Sequence, residues 1–127
     1  MIVPKRPKLT KADMADAYEL ATLRDRDTCQ MCHKPGPIQR DHRQNRDQFN
    51  TVVSNLQGLC LVDHKWKTEH PMEANATGWG CPRWAVPAEW PARRLIGGAW
   101  SWCLYSDDGG VRAITDDDAA QRMGVSS

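Results

Sequence analysis

Beside six tryptophans, the 127 residues hold only one phenylalanine and two tyrosines. Long apolar runs are missing as well. No stretch approaches the ~18 consecutive apolar residues of a membrane-spanning helix, and the first residues, MIVPKRPKLTK, lack the apolar run of a signal peptide. The expectation is a soluble, cytoplasmic chain with no membrane partner. Net charge is only +1, so attraction to a polyanion would have to come from a local patch. No internal repeat and no heptad is present, which excludes solenoids and coiled coils.

What is present is lean. With 40% hydrophobic residues, eight Pro and nine Gly, a single domain of this length buries a small core and needs help from elsewhere. Bound metal is one source, because a structural ion contributes folding free energy directly. Charge is unevenly spread. Residues 1–70 hold 12 Lys/Arg against 9 Asp/Glu, and residues 71–127 hold 5 against 7. Five cysteines without a signal peptide read as metal ligands or buried thiols rather than disulfides.

Local signals place the elements of an α+β chain. Residues 1–9 form a basic arm rich in Pro, Lys and Arg. Thr10 and Asp13 make a capping box, and a helix follows to about Arg26 with Met14, Ala17, Tyr18 and Ala21 on its packing face. Ile38–His42 and Leu56–Leu59 read as short strands, with a polar loop from Arg43 to Ser54 between them. Leu61 to Glu69 reads as a helix stopped by His70-Pro71. From 72 to 127 the chain is Trp-rich. Its Trp-Pro neighbourhoods suggest an irregular wrap, followed by a hairpin over about 99–114 turned by Asp107-Asp108-Gly109-Gly110. Thr115 caps a brief terminal helix, and the last few residues are expected to fray.

The chemistry is concentrated in one segment. Cys29-Gln-Met-Cys32 can grip a zinc ion because a two-residue gap lets the chain turn around it, and Cys60 offers a third thiolate. Asp41-His42, Asn55-Leu56 and His64 follow in order. In that order and at that spacing, residues 24–71 resemble the HNH endonuclease family, and most closely its small bacteriophage members. The family pattern has a fourth Cys three residues after Cys60, where this chain has Asp63. Asp63 is a legitimate ligand, which makes a structural Cys3Asp zinc site one outcome. Substitution by His33 and loss of the site are the others. Cys81 and Cys103 lack ligand spacing and read as ordinary thiols.

The resemblance implies a ββα-metal core in which Asp41 and His64 hold a catalytic divalent ion, Mg²⁺ or Mn²⁺. His42 is then the general base and Asn55 pins its loop, the four together forming the catalytic set. One tension is internal to the sequence: neighbours on a regular strand face opposite ways, so Asp41 and His42 share a site only where the strand ends or kinks. Arg40, Arg43, Arg46, Lys65 and Lys67 are candidate DNA phosphate contacts. The function implied is DNA phosphodiester hydrolysis by a phage-encoded enzyme, with terminase or other packaging proteins as partners. The alternative is a non-catalytic zinc-knuckle module that binds nucleic acid, or a packaging adaptor. Target sequence, nick or double-strand cut, and oligomeric state stay open.

Overall fold

Thr10 starts the first regular element as its sequence asks. In the computed structural model, which describes residues 7–124, its Oγ1 accepts from the Asp13 amide at 3.1 Å, while the Asp13 carboxylate accepts from the Thr10 amide at 3.0 Å. Helix α1 runs over Lys11–Asp25 and ends at Arg26 in the left-handed region, φ 54°. Its inner face is small: Ala17 and Ala21 pack with Tyr18 against Val53 and Leu56. Most of the expected basic arm, and the last three residues, lie outside the described part.

Strand β1 (Ile38–His42) pairs antiparallel with β2 (Leu56–Cys60), placing Asp41 opposite Gln57 and His42 opposite Leu56. The Val53–Asn55 stretch makes one 3-10 turn before β2. Cys60 then stands at the N-terminal boundary of helix α2, Leu61–Glu69. Pro71 forbids further helix in the same direction but suits a first helical position, so a second helix, α3, starts at once over Pro71–Thr77. Among the described residues, no helix is long and apolar enough to cross a membrane.

The second half is more regular than its sequence suggests. Besides α3, a strand β3 (Ala92–Ile96) pairs antiparallel with β4 (Ala99–Tyr105), which pairs with β5 (Val111–Ile114). The irregular wrap is therefore confined to residues 78–91. The β3–β4 turn is Gly97-Gly98, both at positive φ (59° and 82°), the dipeptide that a two-residue hairpin favours. The 99–114 hairpin and a terminal helix, α4 (Asp116–Met123, capped by Thr115), stand where the sequence puts them.

Two buried arginine systems join the halves. The Arg43 guanidinium donates to the carbonyls of Ser54 (2.8 Å), Pro87 (3.0 Å), Trp90 (2.9 Å) and Pro91 (3.2 Å). Asp25 receives Arg24 (2.8 Å) from its own helix and Arg94 (2.6 Å) from β3, and it also caps the Gly58 amide of β2 (3.0 Å). The Arg24 guanidinium lies 3.8 Å from the centre of the Tyr105 ring. The Trp-rich half thus braces the motif-bearing half through polar staples. Trp79 and Trp90 are buried among the core residues, whereas Trp84 is 76% exposed.

Candidate metal centre and adjoining cleft

The cysteine knuckle is built against β2 by a glycine. A Cβ on Gly58 would sit 2.7 Å from the Thr28 carbonyl oxygen, so only glycine lets the chain entering Cys29 lie this close. The Gln30 amide then donates to the Gly58 carbonyl (2.9 Å), and the His33 amide to the Cys29 carbonyl (3.0 Å), closing the knuckle.

Cys29, Cys32, Cys60 and Asp63 converge, their ligand atoms all within 4.8 Å of one another. Asp63 Oδ2 lies 3.1 Å from the Cys29 sulfur and 3.3 Å from that of Cys60, and the Cys32 and Cys60 sulfurs are 3.8 Å apart. Thiolates on a tetrahedral zinc at ~2.3 Å stand about 3.8 Å apart, so the donors fit such an ion. Burial pushes the Asp63 carboxyl up, but hydrogen bonds from the three thiols outweigh it and hold it below the usual range. The cluster could hold a metal ion and is compatible with a structural zinc. Of the two candidates for the fourth ligand, the fold brings Asp63. His33 stays outside the cluster, with its ring edge-on to Trp100.

One residue further along α2 the chain turns to a different site. A cleft of about 550 Å³ is bordered by Asp41, His42, His64 and Lys67, with Arg40, Arg46 and Arg83 on its rim. Asp41 is 4% exposed. Its Oδ1 meets His64 Nδ1 at 2.9 Å, and its Oδ2 receives the Gln57 amide at 2.9 Å and the Lys67 ammonium at 3.2 Å. The same ammonium donates to the His42 carbonyl at 2.9 Å. His64 and Lys67, three apart on one helical face, therefore straddle a single carboxylate.

His42 is the last residue of β1, which eases the tension noted in the sequence. Both neighbours border the cleft, yet they keep different partners. The His42 Nε2 meets Thr51 Oγ1 at 2.9 Å, and its ring stands edge-on to Tyr18. Burial lowers its pKa, the Arg46 charge lowers it further, and the opposing Asp41 charge does not restore it. The lowered pKa favours the uncharged imidazole at neutral pH.

Asn55 is fully buried, beneath the cleft rather than in it. Its Oδ1 accepts from the Gln44 amide (2.8 Å), while its Nδ2 donates to the carbonyls of Asn50 (2.9 Å) and Gln44 (3.3 Å). Asn50 in turn ties Asn45 and Asp47. The 43–54 loop is thus cross-linked from inside, with Asn55 as a positioning residue.

Among the cations proposed as phosphate contacts, Arg40 and Arg46 are exposed on the rim. Lys65 is exposed, outside the cleft lining and within 3.9 Å of Glu69. Arg43 is a correction. It is 2% exposed, its two terminal nitrogens donate to four carbonyls, and its Nε is buried, so it cannot reach a phosphate. Lys67 is 13% exposed and committed to Asp41. The sequence reading missed Arg83, which lies far from the motif. It reaches the rim because the Cys81 amide donates to the Arg43 carbonyl (2.9 Å), and it then contacts Asn45 and Asp47. Comparison of the chain with protein-family models, curated proteins and solved structures found no match in any of the three.

Proposed function

We propose that the chain is a metal-dependent DNA endonuclease of the HNH type, with β1, the 43–54 loop, β2 and α2 forming its ββα-metal core. The observation that carries this reading is the meeting of Asp41, His42 and His64 in one cleft rimmed by arginines. Neighbouring ligands on an octahedral ion at ~2.1 Å are about 3 Å apart. Asp41 Oδ1 and His64 Nδ1, 2.9 Å apart, are the pair that would hold such an ion. Bound there, Mg²⁺ or Mn²⁺ supplies charge stabilisation at the scissile phosphate.

This chain's own residues do the rest. With Nε2–H donated to Thr51, His42 keeps the Nδ1 lone pair to take a proton from the attacking water. An uncharged imidazole is ready for that at neutral pH. Asn55 holds the loop that carries Thr51. Arg40, Arg46 and Arg83 offer sequence-neutral contacts to the DNA backbone. From the resemblance, a phage source and a terminase or other packaging partner are part of the same proposal.

The competing reading, a nucleic-acid-binding module built on the knuckle, draws on Asp41 being fully engaged by protein groups. Plasmid cleavage with Mg²⁺, Mn²⁺ or EDTA separates the two. Wild type should cut with the ion and stop with EDTA, and His42→Ala should lose about 10²–10⁴ in rate while DNA affinity changes little. Absence of cutting with every divalent ion would hand the chain to the binding reading, and wild-type cutting by His42→Ala would remove that residue's role.

A further inference from the structure

The Asp41 carboxylate is already held by one cation, the Lys67 ammonium, and a metal ion would have to compete for it. A divalent ion on Oδ1 and His64 would sit beside the Lys67 ammonium, which is 3.2 Å from Oδ2 and fixed by the His42 carbonyl at 2.9 Å. At 13% exposure, solvent screens this ammonium poorly, so its repulsion of a second cation is stronger than on an open surface. Gln57, the remaining partner of Oδ2, is neutral and raises no such barrier. A phosphate entering the cleft changes the balance. It supplies negative charge to both cations and gives the lysine somewhere else to donate.

We propose that Lys67 is a charge gate, weakening divalent-ion binding to the free protein and making ion and DNA phosphate bind in mutual dependence. This deepens the nuclease reading and rests on it. The benefit follows from the chemistry: an ion that settles only with a polyanion present leaves the free protein without an armed site. Reciprocity requires that whatever factor DNA adds to ion affinity, the ion adds to DNA affinity.

The test uses Mn²⁺ as the probe, titrated calorimetrically into the full chain with its zinc content checked. Lys67→Met, neutral and of similar length, should bind Mn²⁺ at least about tenfold more tightly than wild type without DNA. Lys67→Gln, which keeps a donor for the His42 carbonyl, should do the same and serves if the first variant folds poorly. Lys67→Arg keeps the charge and should keep the weak affinity. In a His42→Ala background, where DNA stays uncut, a short duplex should tighten Mn²⁺ binding. The Lys67→Met change should remove most of that gain. Equal Mn²⁺ affinity in wild type, Lys67→Met and Lys67→Gln overturns the gate but leaves the nuclease reading standing. If His64→Ala binds Mn²⁺ as well as wild type, the ion site itself is wrong and both fall.

Discussion

Arg43 and Arg46 show how little residue type says about role. Three positions apart in one polar run, they have opposite fates. Arg43 gives four hydrogen bonds to carbonyls from Ser54 to Pro91, and no carboxylate lies within ion-pair distance of it among the described residues. Arg46 faces solvent at the cleft. Arg43→Ala should therefore cost stability, about 3 kcal/mol or more, because buried acceptors lose their donors. The readout is the urea midpoint. Arg46→Ala with Arg83→Ala should leave that midpoint nearly fixed and flatten log K against log[salt] for DNA by at most about two units. An unchanged salt slope would put any DNA-binding face elsewhere on the molecule.

At the scale of elements, the knuckle, β2 and the start of α2 are one unit held at Cys29, Cys32, Cys60 and Asp63. If zinc occupies that tetrahedron, its binding free energy is folding free energy, ~10–16 kcal/mol apparent in small zinc peptides. Protein purified without added metal should carry one zinc by elemental analysis. Cys29→Ala should lose it along with most of the cooperative melting transition. A well-folded chain free of metal would reduce the four residues to a packing cluster. These elements were legible because their signals are local: a capping box, a two-residue cysteine gap, an apolar run broken by His70-Pro71. Asp63 was legible only as one of two candidates, since sequence spacing does not show which way His33 turns. Missed elements have equally physical causes. Pro71 reads as a stop and also serves as the first residue of α3, and Gly97-Gly98 went unread between strands of low apolar contrast. Burial of Arg43 and the approach of Arg83 are tertiary facts that no local pattern contains.

The whole molecule depends on a buried charge cluster where α1, β2, β3 and β4 meet. Asp25, 3% exposed, faces Arg24 and Arg94, caps the Gly58 amide, and lies near the Tyr105 hydroxyl that Arg94 also contacts at 3.3 Å. Burial pushes its pKa up, but hydrogen bonds and charge from the two arginines outweigh that and hold it below the usual carboxylate range. A carboxylate with a depressed folded pKa adds stability that is complete above its unfolded pKa, ~3.9, and is lost as pH falls through the folded value. Asp25→Asn keeps the shape and removes the charge, leaving two guanidinium groups uncompensated, a loss of roughly 3–5 kcal/mol near neutrality. Below about pH 4 the unfolded wild-type chain takes up a proton that folded Asp25 still refuses, so the gap between the two proteins should start to narrow there and close as pH falls through the lower folded value. Any metal lost from the cysteine cluster on acidification would be lost by both alike, and the difference between them therefore isolates Asp25. Urea unfolding from pH 7 to pH 3 reads that difference directly. A gap that stays constant across the range would mean that Asp25 is held by shape rather than by charge, and that the two halves are joined chiefly through Arg43.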